Sequence, residues 1–159
     1  VAFYHRGFAG PELNAWTQHT MRGNSRWSVA ERELMAAMVA RWNACPFCVG
    51  AHSAVAVHGM EPATVRAALD DYSTAPIPDE LRATMRFLEK MTREPHELDA
   101  DDAGAVLAAG VTRSQLTDAV AVATVFNIIT RYANALDFEL PTDKEFARSS
   151  GILLKRGYA

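Results

Sequence analysis

Apolar residues recur at steps of three and four along nearly the whole chain, and period-two alternation over a strand's length is hard to find. That spacing repeats one face of a 3.6-residue helix, so the expected fold class is all-α. Prolines and glycines divide the pattern into six to seven helices of a compact bundle. The first runs from about Pro11 to Met21, with proline at an initial position and Gly23 beyond its end. Ser28 and Glu31 have the S-x-x-E spacing of a capping box, in which each side chain satisfies a free backbone N–H of the other residue. That box opens a second helix, ERELMAAMVARW, ending near Trp42. Asn43 and Ala44 give a break, because Pro46 offers no N–H to a continuing helix but suits a first turn; a third helix follows from Pro46 to Gly59.

Later helices are expected at about Pro62 to Tyr72, Pro78 to Thr92 and Ala100 to Ala109. Thr112 and Gln115 repeat the capping-box spacing and open a long helix through AVAVATVFNII to about Leu136. The proline-bearing STAPIPDE is too short to separate two domains. Residues 1–141 are therefore read as a single helical domain, and the polar stretch 142–159 as a C-terminal arm.

With 159 residues, 49% of them hydrophobic and 22% charged, the chain can bury a core without disulfides. A formal charge of −3 with scattered Lys and Arg argues against nucleic acid or an anionic membrane as partner. No apolar run approaches the roughly 18 residues of a membrane span, and the opening VAFYHRGFAG lacks the order of a signal peptide. A cytoplasmic protein is the expectation.

Both cysteines stand in WNACPFCVGAHSAVAVHG, residues 42 to 59. In such a chain a CxxC points to redox or metal chemistry more than to a structural staple. If the third helix starts at Pro46, Cys45 is its cap and Cys48 lies in its first turn, where free N–H groups and the helix dipole favour a thiolate. His52, one turn beyond Cys48 on the same face, comes within reach as base or ion-pair partner, while His58 points elsewhere. In one straight helix Glu33 and His52 would be about 28 Å apart. An antiparallel hairpin turning at Asn43 and Ala44 instead sets Glu33 opposite residues 52 to 54. A relay from Glu33 through His52 to Cys48, with or without a bridging water, is then expected. Which cysteine attacks first is left open, since the capping position would also suit Cys45.

Glu33, eleven intervening residues, then Cys45-Pro46-Phe47-Cys48-Val49-Gly50-Ala51-His52 resembles the E-x11-C-x2-C-x3-H signature of the alkylhydroperoxidase D-like branch of the carboxymuconolactone decarboxylase family. TDAVAVATVFNIITRYANAL resembles the closing helix of its peroxidase-related members, so the resemblance covers about residues 26 to 138. It implies an all-helical, oligomeric, cofactor-free enzyme that reduces hydroperoxides and is itself reduced by an external dithiol protein. Carried over by position, Cys48 would be the peroxidatic thiol, Cys45 the resolving one, His52 the base and Glu33 the far end of the relay. One residue departs from the pattern: Phe47 stands where some members carry a second histidine.

Rival readings are inert buried thiols, a zinc site short of its fourth ligand, a non-catalytic scaffold whose disulfide alters an interface, and a lactone decarboxylase-type activity. Glu33 could instead be a solvated helix residue paired with an arginine, and His52 a satisfied core histidine. His5, His19, His58 and His96 are read as surface residues. Asn127, Arg131 and Asn134 are read as polar contacts to a neighbour, and Trp42 as core or a wall of the pocket.

Overall fold

A computed structural model of the protein describes residues 10–158; His5 lies outside the described residues. Among the described residues eight α-helices follow one another: α1 Gly10–Arg22, α2 Val29–Trp42, α3 Pro46–Ala56, α4 Pro62–Asp71, α5 Asp79–Arg93, α6 Ala100–Ala108, α7 Arg113–Ala135 and α8 Asp143–Arg156. A 3-10 turn, Pro95–Glu97, links α5 to α6. Among the described residues there is no strand. The expected boundaries hold to within one or two residues, except that α3 ends at Ala56 rather than Gly59.

The centre of the bundle is α2. Every residue from 32 to 40 is buried, and residues 34–40 are apolar on every side, as a helix segment enclosed all round must be. Its alanines let α1, α3, α4, α5 and α7 pack directly against it. The capping box is formed: Ser28 N–H donates to Glu31 Oε2 at 2.7 Å, and Glu31 N–H donates to Ser28 Oγ at 3.2 Å. Buried Arg32 donates from Nη1 to the carbonyls of Thr20 and Gly23, both at 2.9 Å, and so ties the end of α1 to α2.

At Asn43 and Ala44 the chain turns back, and α3 runs antiparallel along α2. Ala44 sits at φ +51, a left-handed conformation uncommon for a residue with a side chain. Three polar residues of α7 brace that turn. Asn43 Nδ2 donates to Asn127 Oδ1 at 2.9 Å, and Asn134 Nδ2 donates to the Asn43 carbonyl at 3.0 Å. Arg131 Nη1 donates to Asn127 Oδ1 at 2.9 Å. Trp42 packs edge-on against Tyr72, centroids 6.1 Å apart.

Residues 142–159 contain α8, opened by a Thr142–Glu145 capping box. This helix lies along α3. His58 Nε2 is 3.0 Å from Ser150 Oγ, and buried Phe146 fits against Gly50. Phe47 meets Phe138 and Phe146 edge-on, at 5.3 and 6.0 Å between centroids. A methyl group on Gly50 would lie under 3.0 Å from three ring carbons of Phe146. Gly50→Ala is therefore expected to destabilise the protein by about 1–3 kcal/mol, measured by urea unfolding; an unchanged midpoint would mean that α8 does not dock this tightly.

Candidate active site

The hairpin brings Glu33 and His52 together. Glu33 has no solvent exposure and His52 only 5%, and His52 Nδ1 lies 2.7 Å from Glu33 Oε2. Arg22 Nη2, at the end of α1, is 2.7 Å from Glu33 Oε1. Tyr158, just past α8, donates its hydroxyl to both carboxylate oxygens, at 2.9 and 3.1 Å. The His52 ring meets Phe126 of α7 edge-on at 4.4 Å.

Burial pushes the Glu33 carboxyl upward, but hydrogen bonding to His52, the His52 charge and Arg22 together outweigh it and hold the group below the ordinary carboxylate range. An ionised carboxylate only accepts hydrogen bonds, so the proton between Glu33 and His52 belongs to Nδ1. In the neutral ring the other nitrogen, Nε2, then carries a lone pair, and it has no hydrogen-bond partner among the described residues. Fixing the tautomer through Nδ1 leaves Nε2 as the basic atom.

Cys45 and Cys48 are thiols, each 1% exposed. Cys45 caps α3 and Cys48 occupies its first turn, as the position of Pro46 predicts. The two interact directly. Hydrogen bonding from Cys48 holds Cys45 down to about 7 against the opposing effect of burial. Hydrogen bonding with Cys45, burial and the Cys45 charge push Cys48 up. Negative charge on the pair is thus favoured on Cys45, while Cys48 is held protonated. Cys45 also opens on a cavity of about 490 Å³ with apolar walls that include Pro46, Val49, Leu140, Pro141 and Phe146. Trp42 does not line that cavity.

Among the described residues, neither sulfur hydrogen-bonds to His52. The structure therefore joins Glu33 to His52 and Cys45 to Cys48, with no direct hydrogen bond between the two pairs. No group of three His, Cys, Asp or Glu among the described residues is arranged to hold a metal. Phe47, in place of the second histidine, contributes packing to the Phe138 and Phe146 rings.

Sequence reasoning missed two members of the cluster, Arg22 and Tyr158. Arg22 looks like any basic residue closing a helix, and nothing in RGYA marks a buried contact. The T-x-x-E of Thr142 and Glu145 was a usable signal for α8, and with it for the return of the C-terminal segment.

The thiol chemistry has a direct test. Alkylation of Cys45 by iodoacetamide should rise with pH through a midpoint near 7, because the reactive form is the thiolate. Cys48→Ala removes the donor, so the midpoint should move upward towards the value of about 8.5 for a free thiol. Peptide mapping over a pH series reads both, and an unshifted midpoint would contradict the coupling.

No family model matches the sequence, and no curated protein matches it. Solved structures do. An uncharacterized peroxidase-related protein from Silicibacter sp. TM1040 is 27% identical, with a TM-score of 0.79 over 86% of this chain and 71% of that one. A second, described as an alkylhydroperoxidase AhpD core and an uncharacterized peroxidase-related protein from Ralstonia eutropha JMP134, is 26% identical. Its TM-score is 0.82 over 90% of this chain and 75% of that one. Fold and motif agree: the chain shares the all-helical fold of these peroxidase-related, alkylhydroperoxidase AhpD core-like structures.

Proposed function

We propose that this protein is a cofactor-free thiol peroxidase that reduces hydroperoxides through Cys45 and Cys48, with Glu33 and His52 as its proton relay. The observation that supports this most is a pair of buried free thiols at the start of the short helix that carries an imidazole hydrogen-bonded through Nδ1 to a buried carboxylate. Inert structural thiols would need no such neighbour.

In the cycle, His52 Nε2 receives the Cys48 proton and the Cys48 thiolate attacks the terminal oxygen of the hydroperoxide. The O–O bond breaks, a sulfenic acid forms on Cys48, and the alkoxide takes a proton from the imidazolium and leaves as alcohol. Cys45 then attacks the sulfenic sulfur, a disulfide forms and water departs. An external dithiol reduces the disulfide by exchange, so one hydroperoxide and two thiol hydrogens give alcohol and water. A Cys45 thiol held near 7 suits the resolving step, since attack is fastest for a thiol whose pKa is near ambient pH.

One observation favours a second order of events. Cys45 carries the lower pKa and opens on the cavity, which would let it attack the peroxide and Cys48 resolve. The relay would then return the proton through Cys48.

We further propose a homo-oligomer, in keeping with exposed apolar side chains such as Trp16, Ile128, Leu136 and Ile152. No helix among the described residues is long and apolar enough to cross a membrane, and a cytoplasmic location is part of this reading.

A peroxide pulse followed by a dimedone probe separates the two orders. Labelling of Cys45→Ser but not of Cys48→Ser is expected; the reverse pattern assigns the attack to Cys45. Sustained peroxide consumption with a dithiol is expected of the native protein. A single stoichiometric oxidation without turnover would instead indicate a redox-responsive scaffold.

A further inference from the structure

The last turn of the chain reaches the site from outside the E-x11-C-x2-C-x3-H motif. After α8 the backbone reverses at Gly157, φ +70, where a β-carbon would collide with the Gln18 side chain. The Tyr158 N–H donates to Gln18 Oε1 at 2.7 Å and fixes the turn against α1. The tyrosine ring then lies 5.0 Å from the Arg22 guanidinium carbon, which sits over its face. It also stacks with His52 at 20° between planes and 6.2 Å between centroids. Its hydroxyl donates to both Glu33 oxygens and is 3.3 Å from His52 Nδ1. One side chain thus touches Arg22, Glu33 and His52, which come from three different helices.

We propose that Tyr158 is a positioning residue of the active site, holding the Glu33 carboxylate in the plane that serves His52, so that the C-terminal segment is a working part of the catalytic machinery. Its effect on turnover rests on the peroxidase reading; its effect on the Glu33–His52 pair does not. A carboxylate presents two oxygens, and here Arg22 takes Oε1 while His52 takes Oε2. Those two bonds alone leave the group able to rock about its terminal torsion, which is broad for an sp³–sp² bond. A hydroxyl bridging both oxygens removes that freedom, and the ring shields the Nδ1–H bond from water on the side it covers. Hydrogen bonds to a charged acceptor are the strong ones, so the loss is not trivial.

Tyr158→Phe in the full chain deletes the hydroxyl and keeps the ring. The first readout is the downfield Nδ1–H resonance of His52, followed by nitrogen-edited NMR. In the native protein this proton should exchange slowly with water, and in Tyr158→Phe about tenfold faster, with little change in melting temperature. Tyr72→Phe, whose hydroxyl is bound to Glu89 at 2.6 Å, should leave the resonance alone. The second readout is turnover of a hydroperoxide with a dithiol, where kcat should fall about tenfold at unchanged KM. An unchanged exchange rate in Tyr158→Phe overturns the proposal whatever the kinetics do. If the native protein does not turn over, the peroxidase reading fails, and accelerated exchange still upholds the role of Tyr158.

Discussion

A carboxylate with no exposure to water is the constraint around which the site is organised. Removing such a charge from solvent costs several kcal/mol even after relaxation, and only good geometry with its lone pairs satisfied offsets that. Glu33 meets the requirement with three donors from three different parts of the chain: Arg22 at the end of α1, His52 on α3 and Tyr158 beyond α8. Each is positioned by its own structural device. The Thr20 and Gly23 carbonyls bound to Arg32 fix the end of α1, the left-handed turn at Ala44 sets α3 against α2, and the Phe47, Phe138 and Phe146 rings bring α8 home.

That arrangement gives the carboxylate a chemical consequence beyond stability. Because Glu33 is ionised, the histidine proton is confined to Nδ1 and the opposite nitrogen is left basic. The thiols are arranged by a different logic. Their ionisation is governed by one another, Cys48 stabilising charge on Cys45 and being held protonated in return. Two coupled pairs, one joining a carboxylate to an imidazole and the other joining two sulfurs, therefore meet at α3 and its neighbour. Phe47, between the two cysteines, joins the aromatic contact that docks α8, and α8 in turn carries Tyr158 to Glu33.

Much of this was legible in the sequence because its causes are local. Capping boxes at Ser28 and Thr112, and prolines at first turns, mark helix starts by backbone chemistry confined to four residues. The spacing from Glu33 to His52 across a predicted break sufficed to place them opposite one another. What escaped was long-range. Arg22 and Tyr158 are 136 positions apart in number and meet only because α1 and α8 flank the same hairpin. The polar stretch after Pro141 hides a helix whose apolar anchor, Phe146, depends on the absence of a side chain at Gly50. No periodicity window spans such a pairing. The Asn127, Arg131 and Asn134 stripe shows the intermediate case: its spacing revealed a polar face on an apolar helix, and only the fold shows that it braces the turn before Cys45.

The chemistry open to this site depends most on which nitrogen of His52 holds the proton. Long-range proton–nitrogen correlation spectra of the reduced protein near neutral pH report this directly. In the neutral form of the ring the proton is expected on Nδ1, with Nε2 showing the shift of an unprotonated nitrogen. A ring protonated at Nε2 with Nδ1 bare would mean that Glu33 does not set the base, and would contradict this expectation.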